Sequence, residues 1–168
     1  MSEELQLREG DSVVYPNHGA GVVRALTERT VLGVKQAYYE VHLFGKDAQV
    51  LVPVARARDL GLRRATRRED VPNLLAELST DIPLPESFQA RYRAEQELLQ
   101  AADLVTLTRL VGTLVRRDVT RGLPSSEMDV LMHARKTLEA ELEVALGGGG
   151  RVALEAALSE LMGAARQV

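Results

Sequence analysis

Gln36-Ala37-Tyr38-Tyr39-Glu40-Val41-His42-Leu43 decides the first half of the fold. Tyr39, Val41 and Leu43 alternate with Tyr38, Glu40 and His42, the period of two that a half-buried strand requires. Downstream, Gly45-Lys46-Asp47 turns the chain into Ala48-Gln49-Val50-Leu51-Val52, which Pro53 stops. Upstream, Gly33 marks a turn after Thr30-Val31-Leu32, leading back to a strand over Gly21 to Thr27. Before it, Asn17-His18-Gly19-Ala20-Gly21 is a turn with two glycines free to take positive φ, and Ser12-Val13-Val14-Tyr15 is a short strand ended by Pro16. Four or five short strands joined by tight turns predict a small SH3- or Tudor-like β-barrel over residues 1–61.

The texture then changes. Leu62 to Arg68 carries four arginines in seven residues, and residues 62–69 read as a linker. Asp70 precedes Leu74, Leu75 and Leu78 at helical spacing, with Pro72 tolerable in a first turn. Ile82-Pro83-Leu84-Pro85 reads as an extended connector, and Pro85 or Glu86 is expected to start a helix running to about Ala102. Asp103 is placed to cap a helix from Leu104 to Arg121, with a stripe of Leu104, Leu107, Leu110, Val111, Leu114 and Val115 and with Gly122 as its stop. Pro124-Ser125-Ser126 begins a further helix with Met128, Leu131, Leu138, Leu142 and Leu146 inward. Gly147 to Gly150 reads as a flexible linker, followed by an amphipathic helix within residues 151–168 that aligns Leu154, Leu158 and Leu161. The expected class is α+β: a barrel, then an all-α bundle over residues 70–146.

Composition bounds the function. Of 168 residues 45% are hydrophobic and 27% charged, as in ordinary globular proteins. No apolar run approaches a membrane span, the acidic start Met1-Ser2-Glu3-Glu4-Leu5 is unlike a signal peptide, and cysteine is absent. A cytoplasmic protein without membrane contact is expected. The net charge is −3, and none of residues 1–61, 62–146 or 147–168 has more basic than acidic side chains. Phosphate contacts dominate the affinity of proteins that grip DNA unaided. Only weak binding to free DNA is therefore expected.

Catalytic signatures are missing. His18, His42 and His133 each lack a second ligand at i+3 or i+4. No phosphate-loop, nucleophile-elbow or zincin pattern occurs. Neither enzymatic activity nor a cofactor or metal is expected.

Ser87-Phe88-Gln89-Ala90-Arg91-Tyr92-Arg93 holds the two aromatic residues that follow Phe44. A spacing of four puts Phe88 and Tyr92 on one helical face. Two readings are open: a pair of core rings with solvated arginines, or an apolar wedge framed by cations and suited to a nucleic-acid groove.

Gly10-Asp11-Ser12-Val13-Val14-Tyr15-Pro16-Asn17-His18-Gly19 resembles the opening of the CarD/CdnL family of bacterial transcription regulators, whose first domain is shared with transcription-repair coupling factor. Thr30-Val31-Leu32-Gly33, Tyr38-Tyr39, Leu51-Val52-Pro53-Val54 and Leu60-Gly61-Leu62-Arg63 continue the resemblance. In the second half it is carried by Phe88 to Arg93, by Arg116-Arg117-Asp118 with Arg121-Gly122-Leu123, and by Ala134-Arg135-Lys136. It spans about residues 8–146. It implies a barrel that docks on the RNA polymerase β-subunit and a helical domain that meets promoter DNA at the upstream edge of the melted bubble, stabilising the open complex. The polymerase would then bring a nearly neutral domain to DNA at high effective concentration.

Carried onto this chain, the resemblance places polymerase docking at Arg29 and at Val50, Leu51, Val52 and Pro53, whose strand edge could add to a polymerase sheet. In a regular strand Val50 and Val52 face inward and Leu51 outward. Leu51 stands where the family often has arginine. Phe88 stands where it commonly has tryptophan, keeping a flat apolar face without the indole donor. Arg91 and Arg93 match basic positions expected to reach phosphates, and Arg116, Arg117 and Arg121 are further DNA-facing candidates. The alternative for those three is a solvated face or one salt-bridged to Asp118. Met128 and Asp129 replace basic residues often found after Glu127. A monomer is expected.

Two other readings compete. One is a non-catalytic adaptor with a Tudor-like barrel and a helical dimerisation domain. The other, an RNA-binding accessory protein, is discouraged by the absence of a basic patch or stacked aromatics on the barrel.

Overall fold

The computed structural model describes residues 5–15, 18–44, 46–100 and 103–166. Pro16, Asn17, Gly45 and the expected helix end at Ala102 lie outside the described residues. The chain forms two units, residues 1–66 and 67–168.

The first unit is a five-stranded antiparallel sheet: β1 (Ser12–Tyr15), β2 (Gly19–Val31), β3 (Val34–Leu43), β4 (Ala48–Pro53) and β5 (Arg63–Arg64), in the order β4-β3-β2-β1-β5. The alternation of β3 holds: Tyr39, Val41 and Leu43 are buried with Val13, Val23, Val52 and Leu62 in one core. β2 is longer than the sequence pattern implies, because Thr27 to Val31 pairs with β3 out to a two-residue turn at Leu32-Gly33. Both turn residues have positive φ, 52° and 81°, as a type I′ hairpin needs. β4 and β5 are the two edges of the ladder, so the expected barrel is open along its hydrogen bonds.

The linker expected over residues 62–69 is a correction. Leu62 is a core residue, Arg63 and Arg64 pair with Val14 and Val13 of β1, and the Ala65 amide donates to the Ser12 carbonyl at 2.9 Å. The arginine-rich stretch adds the edge strand β5, since its backbone pairs with β1 while its arginine side chains stay at least partly exposed.

The second unit holds α1 (Val71–Ala76), α2 (Phe88–Gln100), α3 (Leu104–Arg121), α4 (Ser125–Leu146) and α5 (Gly150–Arg166). α3 has the expected bounds. The Asp103 carboxylate accepts from the Thr106 hydroxyl at 2.6 Å and the Val105 amide at 3.2 Å, and the hydroxyl contact holds its pKa below the usual range. Gly122, at φ 77°, ends the helix. α2 starts at Phe88, later than Pro85 or Glu86, with Ser87 before it receiving the Ala90 amide on its hydroxyl at 3.4 Å. α3 is the central element. Leu110, Val111 and Leu114 are fully buried, and Gly112 lies so close to residue 78 that an added Cβ would stand 1.9 Å from the Leu78 carbonyl oxygen.

The glycine run is also a correction. Gly147 caps α4 in the left-handed conformation, and the Gly150 amide donates to Glu143 Oε2 at 2.7 Å. A Cβ at Gly150 would stand 2.2 Å from the Glu143 nitrogen. Residues 147–150 thus form a tight structured turn, and α5 sends Leu154 and Leu158 into the bundle core. Among the described residues no helix is long and apolar enough to cross a membrane.

Candidate functional site

On the sheet, register decides which side chains share a face. Leu51 pairs with Glu40, and Glu40 with Ala25; further along the same face Thr27 pairs with Tyr38 and Arg29 with Gln36. Successive residues alternate, so Arg29 and Leu51 lie on the face opposite Tyr39, Val41 and Val52. Arg29 is exposed and Leu51 is 37% exposed. Val52 is buried and Val50 packs against the core, so their side chains face inward while their backbone runs along the edge strand. Pro53 is half-buried. Val31 and Val34 extend the Arg29 face, and Leu32 at the hairpin tip is 98% exposed. Val31 and Leu32 belong to the Thr30-Val31-Leu32-Gly33 stretch that carries the resemblance, but their exposure, and that of Val34, follows only from the hairpin register.

In the helical unit, the start of α2 brings together an aromatic pair and a buried ionic cluster. The Phe88 and Tyr92 rings stack, with centroids 5.9 Å apart and planes inclined by 13°. Tyr92 is half-buried against the bundle core, whereas Phe88 is 44% exposed. The pair therefore divides, with Tyr92 forming the base and Phe88 the outer ring. Arg93 is exposed beside them.

Arg91 points the other way. It is 7% exposed, and its guanidinium meets Glu127 of α4 fork to fork, Nε to Oε1 at 2.6 Å and Nη2 to Oε2 at 3.1 Å. Nη1 donates to the Glu86 carbonyl at 2.8 Å. The expectation that Arg91 reaches phosphate is corrected: its donors are engaged inside the fold. The group still borders the ring, its guanidinium carbon lying 5.9 Å from the Phe88 centroid.

Glu95, one turn further along α2, is 0% exposed. As a carboxylate it would have no donor for either oxygen; as a neutral acid it can donate to Glu127. Burial foremost, then the shared hydrogen bond and the charge of Glu127, push its pKa up to about 8, against the pull of Arg91 and Arg117. Glu127 moves oppositely: the Arg91 hydrogen bonds hold it below the usual carboxylate range although burial opposes them. The sequence signal for this cluster is the helical period itself, which places 91, 95 and 98 on one inward stripe.

The remaining arginines have separate surroundings. Arg116 is bound to Asp81 and to the Leu78 carbonyl, tying α3 to the segment after α1. It is thus salt-bridged as the alternative reading held, but to Asp81 rather than Asp118. Arg117 is half-buried and near enough to Glu95 and Glu127 to act on both. Arg121 is exposed at the end of α3. Among the described residues, no three metal-ligating side chains stand together.

The comparisons agree with this two-unit layout. Residues 7–66 match the family model described as the CarD-like/TRCF RID domain, and residues 70–155 match that of the CarD C-terminal domain. A Bacillus subtilis (strain 168) protein named "Putative transcription factor YdeB" is 28% identical over 141 residues, 82% of this chain and 91% of that one. The solution structure of the N-terminal domain of Myxococcus xanthus CarD is 36% identical over 38% of this chain and 84% of that domain, with a TM-score of 0.32. Matched first by a model over its sheet and then by a model over most of its helical unit, the protein belongs to the CarD family.

Proposed function

We propose that this protein is a non-catalytic transcription regulator that docks its sheet on the RNA polymerase β-subunit and presents Phe88 to promoter DNA at the upstream edge of the bubble, stabilising the open complex. The observation that carries the reading is the division of the aromatic pair. A ring 44% exposed on a packed aromatic base, beside an exposed arginine, supports an apolar wedge better than a core role. Apolar side chains placed against a base step help to unstack it. Arg93 would contact phosphate and fix the register, with Arg121 and the half-buried Arg117 as further cations, while Arg91 stays engaged with Glu127 beside the ring. Docking would use the face shared by Arg29 and Leu51 and the backbone edge of Val50 to Pro53 on β4.

The charge balance fits a tethered mode. With a net charge of −3, affinity for free duplex is expected to be low, and binding to polymerase would supply the local concentration. Leu51→Glu is expected to weaken binding to a purified β-subunit lobe at least tenfold while leaving the sheet folded, because the side chain lies outside the core. Unchanged binding, or failure of the parent chain to bind the lobe, would overturn the docking half of the proposal. Arg93→Glu is expected to reduce open-complex stabilisation and to lower the slope of affinity against salt by about one. An unchanged slope would remove Arg93 from the interface.

A further inference from the structure

We propose that Glu95, in its neutral form, is a positioning residue for the Phe88 face: it completes the buried cluster that fixes Arg91, and loss of its proton loosens the aromatic stack. The functional consequence rests on the DNA reading of Phe88 given above.

The inference follows from how the donors are used. α2 packs on α3 and α4. The charged groups facing Glu95 are Arg91 on its own helix, Glu127 from α4 and Arg117 from α3. Arg91 uses Nε and Nη2 on Glu127 and Nη1 on the Glu86 carbonyl. A neutral Glu95 leaves that arrangement intact and donates its proton to Glu127. An ionised Glu95 puts a second negative charge beside Glu127 in a site closed to solvent. No donor meets its oxygens in the neutral arrangement, so an ionised Glu95 draws on the nearest cations: Arg91, which has a second N–H on each terminal nitrogen and must shift to bring one to Glu95, and Arg117 from α3. Moving Arg91 disturbs two things at once: the tie to Glu86 that holds the turn entering α2, and the guanidinium flanking the Phe88 ring. The proton on Glu95 is therefore coupled to how the outer ring is held.

The linkage has a definite sign. Unfolded, Glu95 loses its proton near the ordinary glutamate value of 4.5; folded, it keeps it to about 8. The folded state binds the extra proton between those values, so the cluster is most stabilising below the lower value, and that stabilisation declines until the pH passes the upper one. Glu127 acts in the opposite sense and limits stability only in acid.

The chain has no tryptophan, so Phe88→Trp installs a single fluorescent reporter at the ring itself. On the full chain, the emission and anisotropy of that indole are expected to change between pH 6 and 9 with a midpoint near 8. Adding Glu95→Gln, whose amide donates to Glu127 as the neutral acid does, is expected to abolish the change. In the chain that keeps Phe88, the melting temperature of the helical unit is expected to fall from pH 6 to 9, and Glu95→Gln to flatten that fall. A flat signal in the Phe88→Trp chain, or the same midpoint after Glu95→Gln, would overturn the positioning role. The promoter complex is read separately. A pH-dependent open-complex lifetime that Glu95→Gln flattens would support the coupling to function. A titrating indole in a chain whose Phe88→Ala variant leaves that lifetime unchanged would keep the positioning role and reject only the DNA reading.

Discussion

Arg91→Ala is expected to destabilise the helical unit by about 3–5 kcal/mol, the usual cost of removing one partner from a buried ion pair. The variant leaves the Glu127 carboxylate buried without its hydrogen-bonded guanidinium, next to Glu95, and frees the Glu86 carbonyl at the entry to α2. Domains of this size are stable by about 5–15 kcal/mol, so the loss is a large share of the total. Thermal unfolding followed by circular dichroism measures it. A solvent-facing, phosphate-binding arginine would behave differently: alanine there would leave melting unchanged and reduce only a salt-sensitive DNA affinity. The paired replacement Arg91→Met with Glu127→Met is expected to recover most of the loss, because apolar side chains of similar volume remove both buried charges. Equal destabilisation by the single and paired variants would show that the ion pair is not what joins α2 to α4.

Phe88→Ala is expected to do the reverse. The ring is half-exposed and rests on Tyr92, so its removal should cost the fold no more than about 1 kcal/mol. The open complex formed with polymerase should, however, lose about tenfold in lifetime, equivalent to about 1.4 kcal/mol, out of the few kcal/mol that unstacking a base step requires. Dissociation of a preformed promoter complex after addition of a competitor measures that lifetime. Binding to the β-subunit lobe should be unaffected, because Phe88 lies in the other unit. A variant that melts several degrees lower with an unchanged lifetime would return the ring to a purely structural role.

These two neighbours show what the sequence carries and what it conceals. The alternation of Tyr39, Val41 and Leu43 was legible because one face of the sheet is buried and the other is not, and side-chain period follows burial directly. The ends of α3 were legible because Asp103 and Gly122 satisfy backbone groups by local chemistry alone. Arg91 was misread because residue type and residue position disagree: its charge points to solvent, but a period of three to four places it with Glu95 and Leu98 on the inward stripe. Its partner, Glu127, lies 36 residues away, beyond any local pattern. The glycine run failed for a related reason. Glycine serves both flexible linkers and the closest backbone approaches, and only the contact of Gly150 with Glu143, which no local pattern signals, shows that the turn is tight. The arginines at 63 and 64 were legible as charge but not as strand, since their strand exists only through pairing with Val13 and Val14.

The central claim is that Phe88 meets promoter DNA while the sheet holds polymerase. A photoactivatable amino acid introduced at position 88 tests it most directly, irradiated in a complex of the full chain with polymerase and a promoter. The predicted result is a DNA crosslink confined to the upstream edge of the melted region and lost when Leu51→Glu removes docking. Crosslinks to protein alone, or to DNA at positions unrelated to the bubble, would contradict the account.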